Sequence, residues 1–185
     1  MNERWPPIYD YAELLATIKD LIKNDRLTSQ FFESKLDTEK SFFQGDILHL
    51  RAPFAYLNQD AQAEAIDENS GYWLLLSNSC DLDRKLDEVP WAQIVPIELF
   101  DDLPKEEIEK YKSYQLSRAF YIPEWSGDVA GQHGIADFCR PVTISREGVF
   151  SHATVVARLT RYSWILLHSC LVRYLARDDG RRDPS

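Results

Sequence analysis

A short segment after an apolar run carries the side chains of this sequence that are best placed to do chemistry. The run Trp73–Leu76 leads into Ser77, and Cys80, Asp81 and Arg84 follow it closely. A strand end that delivers a hydroxyl, a thiol, a carboxylate and a guanidinium to one loop is a reasonable place for an active site. These four residues are therefore the candidate catalytic residues. Small polar residues at such a position are equally typical of an ordinary capped turn.

Thiol and metal chemistry have weaker support. A reactive thiolate needs a neighbouring cation or a helix N-terminus, whereas the residue next to Cys80 is the anion Asp81. The three cysteines, Cys80, Cys139 and Cys170, are far apart and odd in number, which favours a reducing cytosol. The histidines and cysteines lack the spacing of zinc ligands. We therefore expect no metal, no cofactor and a cytoplasmic location.

The elements that must position the segment follow from apolar periodicity. Helices are predicted at 9–24, 102–116 and 159–177, and strands at 42–50, 72–77, 91–97, 120–122, 135–138, 142–144 and 149–156. Pro96 lacks an N–H, so the third strand is predicted to end there or to lie at a sheet edge. Strands clustered without regular βαβ alternation indicate an α+β fold with a largely antiparallel sheet or a small barrel.

Composition narrows the class of protein. The 185 residues include 30 acidic and 21 basic side chains, a formal charge of −9. This charge argues against a generic nucleic-acid binder, because neutralising phosphates requires a surplus of Lys and Arg. Hydrophobic residues make up 44% of the chain, which is too much for a disordered protein. No apolar stretch approaches the roughly 20 residues that cross a bilayer, so we expect no membrane partner.

Three short stretches resemble the PemK/MazF-type toxin family. They are Gly45-Asp46-Ile47, Leu74–Asn78 and Val95-Pro96-Ile97. Members of that family are small SH3-like barrels whose strands carry these features in this order, and the resemblance covers about residues 42–98. It implies an α+β fold in which a small antiparallel SH3-like β-barrel is flanked by N-terminal and C-terminal helices. It also implies a prokaryotic toxin–antitoxin or phage-defence setting.

The chain departs from the family pattern at its catalytic positions. An Arg-Pro pair that opens the family's apolar strand is replaced here by Gly71 and Tyr72, and a Thr or Ser is replaced by Glu98. Losing the guanidinium removes a donor that would stabilise a phosphoryl transition state, and a carboxylate repels phosphate. We therefore predict a non-catalytic or catalytically degenerate protein-interaction module with an operon-encoded protein partner.

An alternative keeps RNA as the partner. In a metal-independent endoribonuclease with a rearranged active site, Arg51 or Arg84 would supply the missing cation, and Ser77 or Asp81 would position the 2′-hydroxyl. Partner binding has a second candidate region, because seven aromatic residues crowd the start of the chain: Trp5, Tyr9, Tyr11, Phe31, Phe32, Phe42 and Phe43. These side chains would either pack onto the barrel or form a protein–protein surface.

The length fits one domain. We expect it to span residues 1–178, with a helical N-terminal extension at 1–40, a barrel at 41–157 that includes the inserted helix at 102–116, and the closing helix at 159–177. Residues 179–185 are expected to form a flexible tail.

Overall fold

The structure, a computed structural model, describes residues 12–13, 16, 19–20, 23, 30–36, 42–50, 55–57, 62–65, 71–125, 129 and 131–175. The strands named in these ranges are β1 Ile47–Leu50, β2 Ala55–Leu57, β3 Ala63–Ala65, β4 Tyr72–Leu75, β5 Trp91–Phe100, β6 Ala119–Ile122, β7 His133–Asp137, β8 Val142–Ser145 and β9 Ala153–Ala157. The helices are α1 Ser79–Leu82, α2 Lys105–Lys112, α3 Arg146–His152 and α4 Arg161–Leu175.

Seven of these strands form one antiparallel sheet. Its hydrogen-bonded order is β6-β7-β5-β4-β1-β9. The seventh strand, β8, pairs with residues 91–94 of β5, whereas β7 pairs with residues 97–100 of the same strand. Strands β2 and β3 form a separate antiparallel pair. The predicted α+β class with a largely antiparallel sheet is therefore confirmed. Among the described strands the path is open, with β6 and β9 at its two ends, so these pairings do not include the closure of a barrel.

The prediction that β5 stops at Pro96 or lies at an edge is wrong. β5 continues past the proline and pairs on both sides. On one side its partner is β4, and Gln93 bonds in that direction through both its N–H and its carbonyl. Pro96 lies three residues further along β5, so its backbone nitrogen is directed to the opposite side of the strand, away from β4. There the partner changes, from β8 at 91–94 to β7 at 97–100. The missing N–H thus falls where no ladder bond is needed.

The sheet carries a hydrophobic core on each face, because its central strands alternate between them. In β4, Leu74 belongs to the first core, whereas Trp73 and Leu75 belong to the second. Helix α4 covers the first core and contributes Leu166, Leu167 and Cys170. The second core receives Leu82 from α1 and Val149 from α3. The segment that carries the candidate site is therefore anchored on the second face.

Most of the predicted helices and strands are present, with further errors in their bounds. The predicted helix at 159–177 is observed as α4, whereas the helix predicted at 102–116 covers only Lys105–Lys112, as α2. The strand predicted at 149–156 begins only at Ala153, since α3 occupies the residues before it. Helix α3 starts where it does because Ser145 caps it, its Oγ accepting from the N–H of Gly148 at 3.3 Å. The serine that caps this helix stands between the two predicted strands and was the signal that marked its start.

The N-terminal predictions fall partly outside the described residues. Ala12, Glu13, Ala16, Lys19, Asp20 and Lys23 have helical backbone and exposed side chains, as expected for the polar face of the predicted helix. Its apolar stripe, Trp5, Tyr9 and the tail at 179–185 lie outside the described part of the chain. Phe31 is fully buried in the first core, and Phe32 forms an antiparallel bridge with Leu159. These two rings therefore pack within the fold. In the described residues, no helix has the length and apolar character that a membrane span requires.

Candidate functional site

The four candidate residues lie on a capped turn between β4 and β5. Asn78 is the N-cap of α1, and its Oδ1 accepts from the N–H of Cys80 at 2.9 Å. Leu82 pins the turn to the second core. Ser77 faces β5, where its Oγ accepts from the N–H of Gln93 at 2.8 Å. The hydroxyl thus fixes the segment to the sheet, which is the structural role that its sequence context also allowed.

The other three candidates extend towards solvent. Cys80 is exposed. Arg84 lies 3.6 Å from Asp81, measured from Nε to Oδ1, and both side chains are about half exposed. The structure therefore brings Asp81 and Arg84 together as a surface ion pair, with Ser77 turned away from them. The four side chains do not converge on one enclosed reaction centre.

A buried arginine that sequence reasoning missed supports this segment from below. Arg146 is only 1% exposed, and its guanidinium donates to the carbonyl oxygens of Asp81 and Arg84, each at 2.6 Å. It also lies 5.5 Å from the centre of the Phe150 ring. Arginines are seldom fully buried, so no sequence pattern indicated this contact. A guanidinium does lie beneath the candidate loop, but its two terminal nitrogens donate to backbone carbonyls.

Gln44 connects the same segment to α4. Its N–H donates to Ser79 Oγ at 3.0 Å, and its Nε2 donates to the Leu76 carbonyl at 2.6 Å. Its Oε1 accepts from Trp164 Nε1 at 3.2 Å and contacts His168 Nε2. Since Oε1 can only accept, the His168 ring carries its proton on Nε2. Burial lowers the pKa of His168, which favours this neutral form.

Asp46, the acid of the family-like Gly-Asp-Ile stretch, is part of a buried ion pair. Its Oδ1 accepts from Arg158 Nε at 2.7 Å, and its Oδ2 accepts from Arg158 at 2.8 Å and from the N–H of Phe43 at 2.8 Å. Burial raises the pKa of the Asp46 carboxyl, and the hydrogen bonds from Arg158 and Phe43 oppose that shift only in part. Both groups serve the fold, because neither faces an open site.

The departures from the family pattern have structural roles of their own. Gly71 has a φ of +106°, and Tyr72 packs its ring 5.2 Å from those of His49 and Trp125. Glu98 forms an exposed ion pair with Arg140. Arg51, the other cation considered for RNA cleavage, lies outside the described residues. In the ranges that the structure describes, no group of three or more His, Cys, Asp or Glu side chains could hold a metal ion.

Several exposed apolar side chains lie near the turn that carries the four candidate residues. We call the following four the apolar rim: Phe43, Leu86, Trp91 and Phe150. Trp91, the first residue of β5, is the most exposed of them at 60%. Phe150 stacks on Phe42 with ring centres 5.0 Å apart, and the same ring lies beside Arg146. The rim therefore borders the candidate segment in two ways: Leu86 and Trp91 follow it in the chain, and Phe150 contacts Arg146, which donates to its carbonyls.

Comparison of the chain with protein-family models, with curated proteins and with solved structures gave no match.

Proposed function

We propose that this chain is a non-catalytic protein-interaction module on a PemK/MazF-like scaffold, working in a prokaryotic toxin–antitoxin or phage-defence setting. One observation carries the absence of catalysis. Four arginines at or beside the positions that the resemblance marks have partners: Arg146 and Arg158 are buried and bonded within the fold, and Arg84 and Arg140 lie in exposed ion pairs. A guanidinium already paired with a carboxylate or a carbonyl is a poor donor to a developing phosphoryl charge.

The scaffold part of the proposal draws on strand adjacency. The three family-like stretches lie at the start of β1, at the end of β4 and within β5, and these strands are consecutive neighbours in the sheet. Ile47 pairs with Leu74, and Leu74 pairs with Val95. Stretches that are separated in the chain are thus side by side, as a shared scaffold requires. A shared scaffold does not bring a shared activity, since activity resides in the site.

The apolar rim is the surface that we propose binds the partner protein. Trp91 exposes more than half of its surface, and exposed aromatic residues are typical anchors of protein interfaces. The segment that the rim borders is rich in carboxylates: Asp81, Asp83, Asp87 and Glu88. We therefore expect a partner protein that offers an apolar groove flanked by basic side chains. The net charge of −9 disfavours RNA as that partner.

A cleavage assay separates this function from the endoribonuclease alternative. Single-stranded RNA is incubated with the wild type and with Arg84→Ala, without added metal. We expect both proteins to leave the RNA at the decay rate of the buffer alone. Cleavage by the wild type that the variant loses would overturn the proposal and establish the alternative.

A binding experiment tests the partner. The chain is co-expressed with the product of the adjacent gene, and the affinity of the purified complex is measured by calorimetry. Trp91→Ser is expected to weaken binding about tenfold or more, as the loss of an interface anchor does. Leu116→Ser is the matched control, because Leu116 is an exposed apolar residue that precedes the edge strand β6. Equal losses in both variants, or no complex at all, would count against the rim.

A further inference from the structure

A cavity of about 350 Å³ lies between residues 32–36, the pair Glu124–Trp125 and the end of β9. Its size is at the lower end of the range for ligand pockets, about 300–1,000 Å³. It shares no residue with the apolar rim or with the candidate segment. The residues that form it are separated in the chain and are brought together by the bridge between Phe32 and Leu159.

One wall of the cavity is aromatic and firmly held. The rings of Phe32 and Trp125 meet edge to face, with centres 6.3 Å apart. Behind them, Trp125 packs against Tyr72 at 5.2 Å, and Phe32 packs against the buried Phe31 at 4.9 Å. Because the supporting rings belong to the sheet and the first core, this wall is present before any ligand arrives.

The charged side chains that the structure describes in the cavity lining are two carboxylates, Glu33 and Glu124, and both are exposed. Among the described residues neither of them forms an ion pair. Glu33 is held in place by its N–H, which donates to the Arg158 carbonyl at 2.9 Å. The neighbouring Arg158 guanidinium cannot neutralise these acids, because it is bound to Asp46.

We infer that this cavity binds an arginine side chain of a basic protein segment. A guanidinium is planar, so it stacks on an aromatic ring while its N–H groups pair with carboxylates. The cavity lining offers both kinds of contact: the partly exposed ring of Phe32, backed by the largely buried Trp125, and the exposed carboxylates of Glu33 and Glu124. A lysine ammonium is more strongly hydrated and cannot form the same fork of hydrogen bonds. An anionic ligand would meet two negative charges.

The test uses the full chain labelled with ¹⁵N and follows the indole N–H signal of Trp125 by NMR, assigned with Trp125→Phe. The titrant is an acetylated and amidated glycine peptide whose single charge is one arginine. Two matched peptides carry citrulline, which keeps the shape of arginine without its charge, or lysine. We expect the arginine peptide to shift the Trp125 signal saturably. The citrulline and lysine peptides are expected to bind at least about tenfold more weakly than the arginine peptide.

A charge-matched pair of variants separates specific binding from general attraction. Glu33→Gln with Glu124→Gln removes the two carboxylates of the cavity, and we expect it to lose about tenfold or more in affinity for the arginine peptide. Glu106→Gln with Glu107→Gln removes two exposed acids of α2 and is expected to leave the affinity unchanged. Circular dichroism checks that both variants are folded.

Three outcomes would overturn the inference. One is equal binding of the arginine and citrulline peptides, which would remove the role of charge. Another is an equal loss in the two double variants, which would show only long-range attraction. The third is that the lysine peptide binds as tightly as the arginine peptide, which would show that the cavity does not select a guanidinium. None of these results depends on the partner at the apolar rim, so the two proposals fail separately.

Discussion

Two ion pairs of this chain are similar in chemistry but differ in burial. The side chains of Asp46 and Arg158 are 0% and 8% exposed, whereas those of Glu98 and Arg140 are 50% and 57% exposed. A buried charge that loses its partner cannot be compensated by water, whereas an exposed one can. The two pairs thus allow a direct comparison of their contributions to stability.

We predict that Arg158→Met lowers the free energy of unfolding by about 3–5 kcal/mol, because it leaves the buried Asp46 carboxylate without its cation and with only the hydrogen bond from the Phe43 N–H. Arg140→Met makes the same chemical change at the surface and is expected to cost at most about 1 kcal/mol. Urea unfolding followed by circular dichroism measures both. Similar costs would show that the Asp46 pair is not buried.

The same substitution tests the arginine beneath the candidate segment. Arg146→Met removes the donors to the carbonyls of Asp81 and Arg84 and is expected to cost about 2–4 kcal/mol. Arg84→Met removes a surface ion pair and should change the free energy of unfolding by about 0.5 kcal/mol or less. If the two variants were equally stable, Arg146 would not be the support that we describe.

His168 makes stability depend on pH. Burial lowers its pKa in the folded state from the ordinary 6.5, so the unfolded chain binds more protons in that range. Stability therefore falls as the pH drops through about 6.5 and keeps falling until the folded-state pKa is passed. We expect His168→Gln to reduce this loss between pH 7.5 and 5.5 in urea titrations, with His152→Gln as an exposed control. An unchanged pH dependence in His168→Gln would contradict the role of burial.

At the scale of elements, the turn before β1 shows why its glycine is required. Gly45 has a φ of +90°, and a Cβ there would lie 2.7 Å from Leu159 Cδ1. Gly148 in α3 has no such conformation, and its nearest neighbour would be 3.7 Å away, at Ser145 Cβ. The first position therefore combines backbone strain with a clash, and the second has neither.

These two glycines give opposite predictions for the same change. Gly45→Ala is expected to cost about 2 kcal/mol or more, because the strained backbone and the contact with Leu159 add to each other. Gly148→Ala is expected to be neutral or to stabilise by up to about 1 kcal/mol, since alanine favours a helix. Thermal unfolding of both variants measures the difference. A stabilised Gly45→Ala would show that the turn is not as described.

Elements with strong periodicity could be predicted from the sequence, and those set by distant contacts could not. Helix α4 matches its prediction to within two residues at each end, since its apolar stripe is long. The course of β5 past Pro96 depends on a break between β7 and β8, which no local pattern reports. Helix α3 begins between two predicted strands, and only its Ser145 cap marks it.

For the molecule as a whole, the candidate segment could be located but its role could not. Ser77, Cys80, Asp81 and Arg84 do share one turn, because they are neighbours in the chain. What determines their role is the contact of Arg146 with this turn and the link through Gln44 to α4, both of which join residues far apart in sequence. The cavity near Trp125 is likewise assembled from three distant stretches.

The number of thiols that react in the native protein tests whether α4 packs against the sheet. Cys80 and Cys139 are exposed, whereas Cys170 is buried in the first core, and burial raises its pKa to about 12. An aromatic disulfide reagent should therefore titrate two thiols quickly in the native protein and three after denaturation. Three fast thiols in the native protein would mean that α4 does not cover the sheet.

The central strands β4 and β5 supply side chains to both cores in alternation. If the helices on one face of the sheet detached, they would expose one face of the same strands against which the helices on the other face pack. The described sheet should consequently melt as one cooperative unit, with a single calorimetric transition. Any ligand that settles on either side then protects the opposite side as well, so hydrogen exchange far from a docked partner would slow along with exchange beside it.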